Sequence, residues 1–111
     1  MIIQKNIEFL KGMSTPTVSR TFPNSAGDIL AIQISGDFGG AVRIEGRNRH
    51  DGDWVSLAGI SLKDFSVARD GFTAAGLYEI GIVGVREIRA RIDEVTGNVA
   101  LSGQIISTEE T

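Results

Sequence analysis

The chain has no cysteine and a single histidine among its 111 residues. The first absence removes disulfides, thiolate nucleophiles and zinc-thiolate centres together, so stability must come from packing. The second leaves too few nitrogen donors for a zinc site or a nucleophile-base pair. No apolar run approaches the length of a membrane span. The stretch Met1 to Leu10 is broken by Gln4, Lys5, Asn6 and Glu8, so neither a signal-peptide core nor a cleavage site is expected. Excess positive charge is missing too. With a formal net charge of −3, no global field draws the chain to phosphate backbones, and nucleic acid is not expected as a partner. Sustained helical periodicity is absent throughout.

What is present is an ordinary globular composition, 41% hydrophobic and 23% charged, at the usual length of one domain. The apolar residues recur at every second position in five segments, the period of a half-buried strand. Leu30, Ile32 and Ile34 alternate with Ala31, Gln33 and Ser35, and Val42 and Ile44 alternate with Arg43, Glu45 and Arg47. Tyr78, Ile80 and Ile82 alternate with Glu79 and Gly81. Ile88, Ala90 and Ile92 alternate with Glu87, Arg89, Arg91 and Asp93, a strand with one wet face. Val99, Leu101 and Ile105 alternate with Ala100, Ser102 and Gln104. Glycines punctuate the ends of these segments. His50-Asp51-Gly52-Asp53 reads as a hairpin turn, and Thr96-Gly97-Asn98 as another. Short strands at this spacing predict an all-β fold, a two-sheet antiparallel β-sandwich of immunoglobulin-like or jelly-roll-like kind. Ser61 to Arg69 reads as strand or irregular chain.

The organisation expected is an N-terminal segment at 1–27, a sandwich domain at 28–107 and an acidic tail at 108–111. Ile3, Ile7 and Phe9 share one strand face in the first segment, and Val18, Arg20 and Phe22 form a second short segment before a turn at Pro23 to Gly27. Two alternatives stay open for this region. It supplies early strands of the sandwich, or it is an arm whose apolar residues a partner covers.

No catalytic, cofactor-binding or metal site is expected. His50 reads as an exposed turn residue. Asp51 and Asp53 fit a turn better than a calcium loop, whose longer ligand pattern is lacking. Gly36-Asp37-Phe38-Gly39-Gly40 has neither the lysine nor the hydroxyl of a phosphate loop. Trp54 is expected to close one end of the core beside Val55 and Leu57, with a sugar platform or partner anchor as the alternative. Some of Arg43, Arg47, Arg49, Arg86, Arg89 and Arg91 are expected on outward strand faces, where cross-strand pairs with Glu45, Glu79, Glu87 and Asp93 are the simpler account and a basic stripe for an acidic partner or a phosphate is the alternative. The residues singled out for partner contact are Ile3, Ile7, Phe9, Trp54, Arg89 and Arg91.

The order of these features resembles a known family. From Asp28 to Ile106 the chain runs through Leu30–Gly36, Phe38-Gly39-Gly40-Ala41-Val42-Arg43-Ile44-Glu45-Gly46, Asp51-Gly52-Asp53-Trp54, then Tyr78-Glu79-Ile80 and Arg89-Ala90-Arg91. This succession is similar to the small β-sandwich domains of tailed-bacteriophage structural proteins. The resemblance implies a non-enzymatic virion component, a head fibre, capsid decoration protein or tail accessory, made in the host cytoplasm. Its partners would be a major capsid or other virion protein and further copies of itself. A module recognising a host glycan or host surface is the alternative, and the resemblance transfers no catalytic residues.

Overall fold

The computed structural model describes residues 2–13, 16–24 and 26–108, with the side chains of residues 2–4, 13, 94 and 108 set aside. All regular structure is strand: β1 (Ile2–Met13), β2 (Thr17–Val18), β3 (Phe22–Pro23), β4 (Ile29–Ser35), β5 (Phe38–Arg47) and β6 (Val55–Ser56). The chain continues with β7 (Gly59–Ser61), β8 (Val67–Ala68), β9 (Gly76–Gly81), β10 (Glu87–Gly97) and β11 (Val99–Thr108). A six-stranded sheet has the order β1-β11-β4-β9-β7-β8, and a smaller sheet the order β2-β10-β5-β6, with β3 also pairing β10. Every strand pair is antiparallel. The two sheets face each other as a β-sandwich.

The alternation read from the sequence decides which side chains enter the core. Leu30, Ile32, Ile34, Tyr78, Ile80, Val99, Leu101 and Ile105 come inward from the large sheet, and Val42, Ile44, Ile88, Ala90 and Ile92 from the small one. Full burial of each large aliphatic side chain stabilises by about 1.5–3 kcal/mol. Phe72 bridges to Val42 through two backbone hydrogen bonds and packs its ring 4.6 Å from that of Tyr78.

The N-terminal segment is woven into both sheets. β1 pairs with β11 along its length, while β2 and β3 pair with β10. Ile7 and Phe9 are 4% and 6% exposed, Leu10 is buried, and the Phe9 and Phe22 rings meet edge to face at 5.0 Å. In the described part of this segment the apolar face already has a partner inside the chain. The Asn24 side chain pins the next loop: its Oδ1 accepts the Gly27 N–H at 2.8 Å and its Nδ2 donates to the Val85 carbonyl at 2.7 Å.

One expected hairpin is not a hairpin. β10 and β11 belong to different sheets, so Gly97-Asn98 carries the chain across the sandwich. The β4 to β5 turn at Gly36-Asp37 does the same. The two corners lie against each other. Gly36 and Gly97 both have positive φ, 110° and 79°, and a Cβ on either would collide with the carbonyl oxygen of Asn98 or Asp37 respectively. A tight turn within a sheet and a corner between sheets both need glycine, so spacing alone does not separate them. Of the expected acidic tail, residues 109–111 lie outside the described residues.

Candidate interaction surfaces

The sandwich presents two outer faces of opposite character. On the small sheet, strands β5 and β10 direct Arg43, Glu45, Arg47, Glu87, Arg89, Arg91 and Asp93 outward. Register sets their pairing. Arg47 stands opposite Glu87 and donates its Nε–H to Oε1 at 2.8 Å; Arg89 stands opposite Glu45 and does the same at 2.8 Å. Arg43 and Arg91 are directly opposite each other, a repulsive placement by itself. Asp93 resolves it by accepting from Arg43 at 2.6 Å and from Arg91 at 2.7 Å. The hydrogen bond to Asp93, then the charges of Asp93 and Glu45, push the Arg91 guanidinium further toward its protonated form. Cross-strand ion pairs are therefore present for Arg43, Arg47 and Arg89, whereas the shortest contact of Arg91 is to Asp93 on its own strand, and Glu79 lies on the other sheet.

Trp54 sits on this face rather than in the core. Its ring centroid lies 4.3 Å from the guanidinium carbon of Arg47 and 4.2 Å from that of Arg89. Gly46 pairs with Val55, so the register carried one residue further puts Trp54 opposite Arg47, on the outward side. Leu57 packs against the core as expected, but Val55 is 60% exposed. Two guanidinium contacts hold the half-buried indole in place. His50 is exposed, with Nδ1 3.5 Å from Glu87 Oε1.

The outer face of the large sheet carries fewer charges, among them Glu8 on β1 and Glu79 on β9, which stands between Ala31 and Ile60. A hollow of about 680 Å³ lies across β1, β11, β4 and β9. Its rim and floor include Asn6, Glu8, Ala31, Gln33, Leu77, Ala100, Ser102 and Gln104, and Gln104 donates to Asn6 at 3.0 Å. Toward β7 and β8 the same face turns apolar, with Ile60, Leu62, Val67 and Leu77 exposed. Contiguous apolar surface of this kind marks contact sites.

Beyond these residues lies the feature that sequence reading missed. The turn joining β7 to β8 lifts Phe65 into solvent, 76% exposed, with φ at 60°. Three groups hold it. Its N–H donates to the Ser61 carbonyl at 2.8 Å, and Asp64 Oδ1 accepts from both the N–H and the hydroxyl of Ser66 at 3.0 and 2.7 Å. Those bonds from Ser66 hold the Asp64 carboxyl below its ordinary 3.8. Asp64 and Ser66 on either side of an aromatic were the available signal, a side-chain-capped turn within the ambiguous Ser61 to Arg69 stretch.

The six residues singled out for partner contact separate. Ile7 and Phe9 are core residues of this chain and are withdrawn as contacts in the folded molecule. The side chain of Ile3 lies outside the described residues. Trp54, Arg89 and Arg91 come together on the small-sheet face. Among the described residues no group of three or more histidine, aspartate or glutamate side chains is placed to hold a metal ion.

No protein-family model matches the sequence, and no curated protein matches it. Two solved structures share the fold. SPBc2 prophage-derived protein YomS superposes with a TM-score of 0.85 over 96% of both chains at 19% identity. PBSX exported protein XepA gives a TM-score of 0.85 at 17% identity, over 96% of this chain and 38% of XepA, so the present chain corresponds to a little over a third of that protein. At these identities the likeness establishes a common β-sandwich architecture.

Proposed function

We propose that this chain is a non-enzymatic structural component of a bacteriophage particle, attached to the particle surface as a head-fibre or capsid-decoration protein. It is made in the host cytoplasm, carried in the virion, and binds a major capsid or other virion protein as a homo-oligomer. The observation that carries this reading is the end-to-end match to a prophage-derived protein of the same size. The order of strand and turn motifs from Asp28 to Ile106 supports it independently. So does the surface: one face holds its charges in internal ion pairs, and the other offers neutral and apolar groups suited to protein contact.

The test is add-back. Particles from a strain deleted for this gene are mixed with the purified chain and separated on a density gradient. Binding should saturate at a copy number fixed by particle symmetry. Failure to co-migrate with the particle at any ratio contradicts the reading.

Trp54 favours one second reading, a module for a host glycan. A half-buried indole held by Arg47 and Arg89 is a preorganised platform for a sugar ring. Saturable oligosaccharide binding that Trp54→Ala abolishes without unfolding would support it over the structural role.

A further inference from the structure

We propose that Lys5 guards the free edge of β1 and keeps copies of this chain from pairing edge to edge through the large sheet. The inference goes beyond the assembly reading above, because it names a surface that the folded chain closes to sheet extension whatever contacts hold it on a particle.

β1 is the long edge of the sandwich. It stands at one end of the six-stranded sheet, runs from Ile2 to Met13, and pairs with β11 alone among the described strands. The other terminal strands, β2, β6 and β8, have two residues each. Edges that short give another chain little to pair with, whereas twelve residues offer a ladder.

Lys5 occupies a position suited to an apolar side chain. It stands opposite Ile105, which is 7% exposed, and directly opposed residues of an antiparallel pair share a face. Ile7, two positions along and so on the same face, is 4% exposed. Lys5 itself is exposed. A lysine that starts from the core side of an edge strand keeps its ammonium in water only while that edge is open. A strand added outside β1 would close the route and bury an unpaired charge between the sheets. No ion pair holds Lys5 among the described residues, so a structural contact does not account for its charge.

The second half of the strand is guarded by its backbone. The β1–β11 register shifts between Glu8 and Leu10 and again between Leu10 and Met13, and Gly12 takes φ 64° with open space where a Cβ would stand. Nothing crowds Gly12, so glycine there serves the backbone angle alone. Such irregularities twist an edge away from a straight partner.

The test uses the full chain. Sedimentation velocity measures association, and self-quenching of a dye on Asn6→Cys, the one thiol in a chain that has none, reports whether association runs through β1. Lys5→Ile should raise both signals by roughly tenfold over the Lys5 parent, because the buried charge that opposed pairing is gone. Lys5→Arg, which keeps the charge, should behave as the parent. Lys5→Gln removes the charge with little change of shape and carries the test if isoleucine prevents folding; it should raise both signals by roughly threefold. Neutral variants that quench no more than the parent, or Lys5→Arg quenching as strongly as Lys5→Ile, would overturn the proposal.

Discussion

Arg89 reaches across the β5–β10 ladder to donate its Nε–H to Glu45 at 2.8 Å, and Glu45 is consequently a charged residue only 7% exposed. The second contact to that carboxylate, from Arg91 Nη1, is longer at 3.7 Å. Arg89→Ala removes the main partner of a nearly buried charge and the support beneath Trp54. It should lower unfolding free energy by about 1–3 kcal/mol. Replacing both Arg89 and Glu45 with methionine should cost less than Arg89→Ala. Denaturant titration of the variants reads the difference, and a double variant worse than the single would show that the pair is not the origin of the loss.

β1 carries weight through Ile7, Phe9 and Leu10. Phe9→Ala should destabilise by about 3–5 kcal/mol, the usual range for an aromatic removed from a core. Removing residues 1–23 takes away β1, β2 and β3 together and should leave a chain without a cooperative thermal transition. A truncated product melting like the intact chain would restore the alternative of a detachable arm.

The paired corners at Gly36 and Gly97 predict a sharp intolerance. Alanine at either position combines positive φ with a collision against a backbone carbonyl, and each should lower stability by about 1–3 kcal/mol. Gly12→Ala is the control. It has positive φ but open space around it, so its cost should be strain alone, about 1 kcal/mol. Equal losses at all three sites would mean that the corner contact contributes nothing.

Phe65→Asn should raise the melting temperature, by about 0.5–1 kcal/mol in stability, because asparagine accepts the left-handed region more readily and Phe65, 76% exposed, gives up little buried surface. Acid acts on the turn through Asp64. Its carboxyl is lowered by the Ser66 hydrogen bonds, so their contribution is complete above 3.8 and is lost as the pH falls below that value. An NMR titration should show the Ser66 amide shifting in that window; an amide that stays fixed through it would contradict the assignment.

Five strands and the sandwich class were legible because alternation reports burial on one side, and burial follows from chemistry local to each strand. Leu30–Ile34 and Ile88–Ile92 are cases in which every inward residue could be named from the sequence. Sheet membership was not legible. Gly97-Asn98 would serve a hairpin or a corner equally, and only the pairing of β10 with β5 and of β11 with β4 decides between them. Trp54 was misplaced for a related reason. Its hydrophobicity favoured the core, but strand parity counted from the Gly46–Val55 pair sends it outward, where arginines receive it. Phe65 was hidden because its role depends on exposure and a backbone angle, neither of which leaves a periodic trace.

The central claim is that this sandwich is built into a phage particle. Quantitative mass spectrometry of gradient-purified particles tests it most directly. The account predicts peptides of this chain at a fixed ratio to the major capsid protein, unchanged by a salt wash, whereas its absence from particles while abundant in the lysate would contradict it.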